Sequence, residues 1–359
     1  EDGIRDVAVT GVQTCALPIL MNITVLGGGA WGTAIALSAA NQQGDHAVCL
    51  WARDPKAIEA MRSEHQNKKY LPAITLPSSL ILETYLEKAI GRIGADDLLV
   101  IATPMSALAA ISKFIFQAAK HPLNILLLCK GLEPKTALLA HQVLQRELKH
   151  FPAHSHVFGV LSGPSFAREV GEGLPCALTV ASDQSKFCDL VQKAFHHGGL
   201  RVYASDDLIG VELGGAIKNV LAIAAGICDG LGLGMNARAA LLTRGLAEMM
   251  RLVKALGGRA ETCMGLAGMG DLILTATGDL SRNRRVGLSL AAGESLDHVL
   301  NALGHVAEGV LCAQAVSDLA KRHQVEMPIC ATVSEVLNGQ LSPEQAVQLL
   351  MGRKPKSEA

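Results

Sequence analysis

The stretch Asn22-Ile-Thr-Val-Leu26-Gly27-Gly28-Gly29-Ala30-Trp31-Gly32 decides the fold of this chain. A short β-branched apolar run ends in the spacing Gly-x-Gly-x-x-Gly, and helical spacing follows from Trp31 to Gln43. In such a loop the first glycine allows a tight turn, the second admits a pyrophosphate and the third lets helix and strand pack closely. The helix start adds free N–H groups and a positive dipole end. The pattern therefore predicts a dinucleotide loop, with a plain strand-to-helix turn as the alternative.

The end of the next strand, Ala47–Trp51, bears on which cofactor the loop would take. An acid there binds the adenosine ribose hydroxyls, whereas an arginine accommodates a 2′-phosphate. The sequence continues Ala52-Arg53-Asp54. Arg53 favours NADP, Asp54 keeps NAD open, and the alternative is that both residues simply form a solvated turn.

Strands and helices alternate along the first half of the chain, and this alternation stops after about Ser205. Such alternation predicts right-handed βαβ crossovers and a mainly parallel sheet. We therefore expect an α/β fold, a Rossmann-like doubly wound sheet followed by an all-helical C-terminal domain. The expected division is a non-native or disordered extension at 1–20, a dinucleotide-binding domain at 21–205, a helical substrate-binding domain at 206–351 and a tail at 352–359. The predicted strands after the first two are Leu98–Ala102, Ile125–Cys129, Val157–Leu161, Ala177–Val180 and Val202–Tyr203; the predicted helices include Met105–Ala119, Thr136–Leu148, Ser185–His196, Ala237–Leu256, Arg284–Ala292, Ala307–Arg322 and Pro343–Leu350.

Composition narrows the class of protein. The formal net charge of −1 gives no global field that would attract nucleic acid or a membrane surface. No window holds the roughly 18 uninterrupted apolar residues of a membrane span. Nine scattered cysteines without a CxxC pair favour reduced thiols in a cytoplasmic protein. Residues 1–20 open with acidic residues rather than a basic signal, so we expect Met21 to be the natural start.

Four segments resemble one known enzyme family, the bacterial-type NAD(P)-dependent glycerol-3-phosphate dehydrogenases. The resemblance runs in order from Met21 to about Met351, with Met269 where leucine is expected. The segments are Gly210-Val-Glu-Leu-Gly-Gly-Ala-Ile-Lys218-Asn219, Leu128-Cys-Lys130-Gly131, Leu161-Ser-Gly163-Pro-Ser165-Phe-Ala167, and Gly265-Leu-Ala-Gly268-Met-Gly270-Asp271, which continues to Ser281-Arg282-Asn283-Arg284-Arg285.

Lys218 lies in an otherwise apolar helical stretch from Leu208 to Ile227. Lost hydration would move the pKa of its ammonium from about 10.4 towards neutrality, as suits a proton donor to an alkoxide. The chemistry alone equally allows a lysine whose head reaches water. The resemblance implies that Lys218 is the proton donor.

Two neighbours share this expected catalytic role. Asn219 could position the cofactor or the substrate oxygen, and the alternative is that it forms a hydrogen bond between helices. Asp271 follows a glycine turn, where it can cap the next helix or hold Lys218 by a charge-assisted hydrogen bond. The resemblance favours the second role, and Thr275, four residues on, would share the face of Asp271 and bond a substrate hydroxyl.

The basic segment that begins at Ser281 is the expected phosphate site. Ser281 can cap the following helix, and an arginine fork matches phosphate bidentately. A solvated charged face is the alternative. The resemblance implies that Arg282 and Asn283 bind the substrate phosphate, with Arg282 also near the cofactor. Arg284 and Arg285 are expected to be surface or helix-cap residues.

Further contacts rest on the resemblance. It implies that Lys130, at the end of a buried strand, lies between substrate and nicotinamide, and that Gly163 and Ser165 touch substrate. Without it, Lys130 would begin a loop and Glu308 would be a first-turn acid. The implied cofactor contacts are Gly27, Gly29, Ala30, Trp31, Gly32, Arg53, Lys130, Ala167, Arg282, Val306 and Glu308.

The expected activity is reversible hydride transfer between NAD(P)H and dihydroxyacetone phosphate, supplying sn-glycerol 3-phosphate for phospholipid synthesis. None of the twelve histidines suggests a metal site, and NADPH is favoured over NADH. A homodimer is the default assembly. The alternatives are another two-domain hydroxyacid or sugar-acid dehydrogenase with a Lys-Asn helix, and a non-catalytic NADPH sensor.

Overall fold

The computed structural model describes residues 21–41, 46–303 and 307–354. The predicted extension at 1–20 and most of the predicted tail lie outside these ranges. The strands are β1 Asn22–Leu26, β2 Ala47–Trp51, β3 Gln66–Asn67, β4 Leu71–Thr75, β5 Ile81–Glu83, β6 Leu98–Ile101, β7 Asn124–Leu127, β8 Val157–Ser162, β9 Cys176–Ala181 and β10 Leu200–Ser205. The helices are α1 Ala30–Ala40, α2 Pro55–Glu64, α3 Leu86–Ile90, α4 Met105–Ala118, α5 Ala140–Leu148, α6 Ala167–Gly171, α7 Ser185–Phe195, α8 Leu208–Gly230, α9 Gly234–Ala255, α10 Ala260–Cys263, α11 Asp271–Thr277, α12 Arg282–Ala291, α13 Leu296–Leu303, α14 Glu308–Arg322, α15 Pro328–Leu337 and α16 Pro343–Met351, with a π-helical turn at Leu266–Gly270.

Eight strands form one sheet in the order β10-β9-β8-β7-β6-β1-β2-β5. Every neighbouring pair is parallel except β8 and β9, which run antiparallel. The chain moves outward from β1 in both directions, so the strand order reverses between β1 and β6. In open α/β sheets, ligands bind beyond the carboxyl ends of the strands at such a reversal. The predicted doubly wound, mainly parallel sheet is confirmed, and the glycine loop lies at this point.

Helix α8 is the centre of the helical domain. The side chain of Asp207 accepts a hydrogen bond from the Gly210 amide at 2.9 Å, as expected for a cap. Every residue from Gly210 to Cys228 is buried, under α9, α11, α12, α14 and α15. By length and composition α8 could cross a membrane, but 89% of its apolar window is buried inside the protein. It is therefore a core helix.

Two glycines bring the backbones of α8 and α12 into contact. A Cβ on Gly226 would lie 2.1 Å from the Arg284 carbonyl oxygen, and one on Gly287 would lie 2.1 Å from the Ile223 carbonyl oxygen. Both distances are below any real contact, so only glycine permits this crossing. The contact fixes the start of α12 relative to α8.

Two sequence predictions need correction. The helix predicted from Thr136 begins only at Ala140, because Lys135 and Ala137 adopt left-handed φ angles of 72° and 59°. Arg284, predicted at the surface or in a cap, instead donates to Asp229 on α8 at 2.8 Å, with both side chains only 15% exposed. The charge partner is distant in sequence, so no local pattern indicated it.

Candidate active site

The first and third glycines of the loop are required by close backbone approach. Gly27 has a φ of 134°, and a Cβ there would lie 2.7 Å from the Ala102 carbonyl oxygen. A Cβ on Gly32 would lie 2.0 Å from the Gly27 carbonyl oxygen. Gly29 differs, since no atom of the described residues lies within 4 Å of a Cβ built on it. The loop therefore closes tightly at both ends and leaves open space at the start of α1.

The residues around that space fit an anionic dinucleotide. Gly29 precedes α1, and Ala30 is the first helical residue, so the free N–H groups of the helix start face the opening. The indole Nε1 of Trp31 is buried and has no hydrogen-bond partner among the described residues. An unpaired buried donor beside a helix N-terminus suits an acceptor from a bound cofactor.

Arg53 and Asp54, at the end of β2, have different contacts. The Asp54 carboxylate accepts from the Lys56 amide at 3.0 Å and caps α2. Arg53 is exposed and makes no hydrogen bond or ion pair within the described ranges. Because its neighbour is engaged in capping, Arg53 is the charged side chain left free at this strand end.

Four side chains from three parts of the chain converge at the carboxyl edge of the sheet. The Lys218 Nζ donates to Asp271 Oδ1 at 2.9 Å and to Thr275 Oγ1 at 2.8 Å. The Lys130 Nζ donates to Asp271 Oδ2 at 2.7 Å and to the Gly163 carbonyl at 3.1 Å. Lys218 comes from α8, Asp271 and Thr275 from α11, and Lys130 follows β7. Asp271 thus bridges two ammonium groups.

The electrostatics of this cluster favour proton transfer. Burial lowers the pKa of Lys218 to about 8, although the Asp271 carboxylate opposes that change. Burial alone would raise the pKa of Asp271, but the charges of Lys130 and Lys218 outweigh it and hold that pKa below its usual range. The arrangement therefore combines an ionised carboxylate with an ammonium that can release a proton near neutral pH.

The structure decides between the two local alternatives for Asp271. Its carboxylate is only 1% exposed, and both oxygens face lysines rather than free helix N–H groups. Asp271 is the first residue of α11, and no side-chain cap hydrogen bond is found at this helix start among the described residues. Thr275 donates to Asp271 at 3.2 Å as well as accepting from Lys218, so it lies on the predicted face but within the same network.

The two asparagines lie in one buried chain of hydrogen bonds. The Asn283 amide nitrogen donates to Asn219 Oδ1 at 2.8 Å, and Asn283 Oδ1 accepts from the Gly309 amide at 2.9 Å. Asn219 in turn donates to the Gly215 carbonyl at 3.1 Å. The chain joins α8, α12 and α14, so the inter-helix alternative for Asn219 describes its contacts here. Gly309 was not predicted, since an amide gives no sequence signal.

The basic segment begins with the predicted cap. Ser281 is buried, and its hydroxyl accepts from the Arg284 amide at 3.2 Å. Arg282 is the first residue of α12 and is exposed, with no hydrogen bond to any residue that the structure describes. The guanidinium and the helix start are thus both available to an anion.

The turn after β8 supplies Gly163, Ser165 and Ala167. The Gly163 carbonyl accepts from Ser165 Oγ at 3.0 Å and from Lys130. Ala167 starts α6 and packs against the sheet core. Ser162, just before this turn, is a residue that the sequence analysis missed. Its hydroxyl is buried without a partner among the described residues, and its position at the end of β8 was the available signal.

Glu308, the first residue of α14, is half-buried. Burial raises the pKa of its carboxyl to about 7, against the effect of the Arg282 charge. Val306, the other expected late contact, lies outside the described residues. Within the described ranges, no group of three or more His, Cys, Asp or Glu residues could hold a metal ion.

Comparisons with known proteins agree with this arrangement. The family model for the NAD-dependent glycerol-3-phosphate dehydrogenase N-terminus matches residues 22–188, and the C-terminus model matches residues 207–348. A Polynucleobacter asymbioticus protein named glycerol-3-phosphate dehydrogenase NAD(P)+ is 65% identical over 94% of this chain and 100% of its own length. A Cupriavidus taiwanensis protein of the same name is 54% identical over the same shares.

A solved structure is similar throughout. The glycerol-3-phosphate dehydrogenase from Coxiella burnetii is 41% identical, with a TM-score of 0.86 over 93% of this chain and 99% of its own. Two family models, high identity and a shared fold give one conclusion. The chain belongs to the NAD-dependent glycerol-3-phosphate dehydrogenase family.

Proposed function

We propose that this protein catalyses reversible hydride transfer between NAD(P)H and dihydroxyacetone phosphate, giving sn-glycerol 3-phosphate. One observation carries the proposal: a buried lysine with a lowered pKa, Lys218, is held by Asp271 and Thr275 at the carboxyl edge of a dinucleotide-binding sheet. Membership of the family supports the same reaction. Glycerol 3-phosphate made here would supply phospholipid synthesis in the cytoplasm.

Lys218 is the proposed proton donor. The bound cofactor supplies the hydride to the carbonyl carbon. Lys218 then gives its Nζ proton to the developing alkoxide and takes it back in the reverse direction. The Asp271 carboxylate keeps the ammonium at a fixed place and stabilises its charged form, and Lys130, on the other carboxylate oxygen, adds positive charge near the carbonyl.

The phosphate of the substrate is assigned to the start of α12. Arg282 offers a guanidinium fork, and the capped helix start adds free N–H groups. We assign Asn219 and Asn283 to the site as the residues that hold this helix start against α8, and Gly163, Ser165 and Thr275 to its substrate-facing wall. Ser281 contributes as the cap.

The cofactor is assigned to the cleft that begins at the glycine loop. Gly27 and Gly32 shape the turn, while Gly29, Ala30 and Trp31 would face the phosphates of a bound cofactor. Arg53 would bind a 2′-phosphate, which supports NADPH over NADH. The nicotinamide end is assigned to Lys130, Ala167, Val306 and Glu308, with Arg282 nearby.

The two parts of the chain would enclose the substrate between them. We propose a dinucleotide-binding domain at 21–205 and a substrate-binding domain at 206–351, with residues 352–359 as a tail. Binding between the two domains would exclude water during the transfer. A homodimer is the proposed assembly, to be checked by light scattering.

The test is oxidation of NADPH, followed by its near-ultraviolet absorbance, with dihydroxyacetone phosphate and with unphosphorylated dihydroxyacetone. NADH is run in parallel, and Lys218→Ala is the control enzyme. We expect rapid oxidation only with the phosphorylated ketone and its loss in the variant. Cofactor binding without oxidation of either ketone would instead support a dehydrogenase of another substrate or a sensor.

A further inference from the structure

The carboxyl group of Glu308 lies beside the backbone that follows β7. A Cβ built on Gly131 would be 3.7 Å from Glu308 Oε2 and 3.9 Å from the Cβ of Cys312. Gly131 has a φ of 133° and directly follows Lys130, whose ammonium binds Asp271. The Glu308 carboxyl therefore lies next to the residue that follows Lys130, one of the two lysines that bind Asp271.

In the proposed function, this position would be the nicotinamide end of the cleft. The glycine loop after β1 fixes the cofactor phosphates at one side, and the Lys218–Asp271 cluster marks where the substrate carbonyl must lie. A bound cofactor would have to extend from the first to the second, so its ring would lie near the carboxyl ends of β6 and β7. Gly131 and the Glu308 carboxyl border that path.

Few groups compensate a charge on Glu308. It makes no hydrogen bond or ion pair within the part of the chain that the structure describes, and Arg282 on α12 is the positive group that acts on it. The thiols of Cys129 after β7 and Cys312 on α14 stay neutral, because burial raises the pKa of both. The charges of Glu308 and of Lys218 on α8 both act on the Cys312 thiol.

The redox states of the cofactor differ in the charge of the ring. The oxidised nicotinamide is cationic and the reduced ring is neutral. A carboxylate facing the ring in a cleft of low dielectric attracts only the first of these. A neutral amide of the same shape would not discriminate between them.

We propose that Glu308 is a specificity-determining residue for the redox state of the cofactor, favouring the oxidised over the reduced form when its carboxyl is ionised. The inference rests on the proposed function, because it needs a nicotinamide in this cleft. It adds a preference that depends on the charge of Glu308 to the cofactor contact that is expected of this residue. The overall equilibrium of the reaction is unaffected; the ratio of the two bound cofactor forms changes.

The ionisation of Glu308 makes this preference depend on pH. Its carboxyl has a pKa of about 7, so it is mostly neutral at pH 6 and mostly ionised at pH 8. The preference for oxidised cofactor should therefore appear as the pH rises through 7. Measurements stop at about pH 7.5, because Lys218, with a pKa of about 8, loses its own charge above that.

The experiment measures the dissociation constants of NADP⁺ and NADPH by calorimetry at about pH 5.5 and about pH 7.5. The proteins are wild type, Glu308→Gln, Glu308→Asp and Glu261→Gln, in which an exposed carboxylate on α10 is removed. We expect the wild-type ratio of the NADP⁺ constant to the NADPH constant to fall about tenfold at the higher pH. Glu308→Gln should show a constant ratio, while Glu308→Asp and Glu261→Gln should follow the wild type.

The outcomes separate the two proposals. Intact binding with the same ratios in wild type and Glu308→Gln would overturn the inference and leave the proposed function in place. Equal weakening of both forms in Glu308→Gln would also overturn it, because Glu308 would then be a contact without a charge preference. Failure of the wild type to bind either form would overturn the proposed function and the inference with it.

Discussion

Burial lowers the pKa of Lys218 and the Asp271 carboxylate opposes that change, so Asp271→Asn tests the effect of the carboxylate directly. Two unit charges 2.9 Å apart at an effective dielectric constant of 20 interact with about 6 kcal/mol. The asparagine oxygen still accepts a hydrogen bond, and the pocket relaxes, so we take about half of this as lost. A loss of about 3 kcal/mol lowers the pKa of Lys218 from about 8 to about 6.

This change should appear in the pH dependence of ketone reduction. Reduction needs the protonated lysine, so the rate falls as the pH rises through the pKa of Lys218. At pH 8 about half of the wild-type lysines carry the proton, but only about 1% in Asp271→Asn, which predicts an about 50-fold lower kcat. The assay is kcat for dihydroxyacetone phosphate with NADPH from about pH 5.5 to 9.

The matched control is Asp229→Asn, near the C-terminal end of α8. Asp229 also pairs with two cations, Arg238 and Arg284, but outside the site. Both variants leave cations unpaired and should lose stability, by about 3–5 kcal/mol for the buried Asp271 and less for Asp229. Only Asp271→Asn should move the alkaline limb of the profile. If that limb stays near pH 8 in a folded Asp271→Asn protein, the proposed electrostatic role is wrong.

Three further changes test other parts of the site. Arg282→Gln should raise the KM for dihydroxyacetone phosphate about 100-fold and leave the slow reaction of the unphosphorylated ketone unchanged. The control is Arg285→Gln, which changes an exposed arginine on the same helix, and an equal effect of Arg282→Gln on both ketones would exclude a phosphate contact. Arg53→Gln should weaken NADPH binding about tenfold with NADH unaffected, and a parallel loss of both would contradict a role in 2′-phosphate binding. Gly226→Ala places a Cβ 2.1 Å from the Arg284 carbonyl oxygen. It should lower the free energy of unfolding, measured in urea, by about 2–3 kcal/mol. An unchanged free energy would mean that α8 and α12 can move apart at no cost.

The sheet was predictable because its signals are local. Asn22–Leu26 and Ala47–Trp51 were predicted with the bounds that the structure has. Each is a short, mainly apolar run, the first followed directly by Gly27 and the second separated from Arg53 by one residue. The antiparallel direction of β9 was not predictable in this way. Strand direction depends on the path of the connection from β8 through α6, which residue patterns do not encode.

The helical domain was predicted less completely. Long helices such as α8 and α9 have strong apolar patterns, but the segment 260–277 folds as two short helices joined by a π-helical turn. A turn of this kind has too few residues to show a period. It nevertheless places Asp271 between Lys130 and Lys218. The sequence singled out these three residues without indicating that one carboxylate would bridge both lysines.

The start of α12 shows most clearly why the site geometry is not contained in local patterns. The position of Arg282 is set by the crossing of α12 and α8, whose backbones touch at Gly226 and Gly287. The Asn219–Asn283 hydrogen bond joins the same two helices at a second point. Read along the sequence, glycine inside a helix only weakens it. In three dimensions the absent side chains set the separation of the helices, and with it the distance from the expected phosphate anchor to the proton donor. Any residue larger than glycine at position 226 or 287 would move Arg282 without itself contacting a ligand.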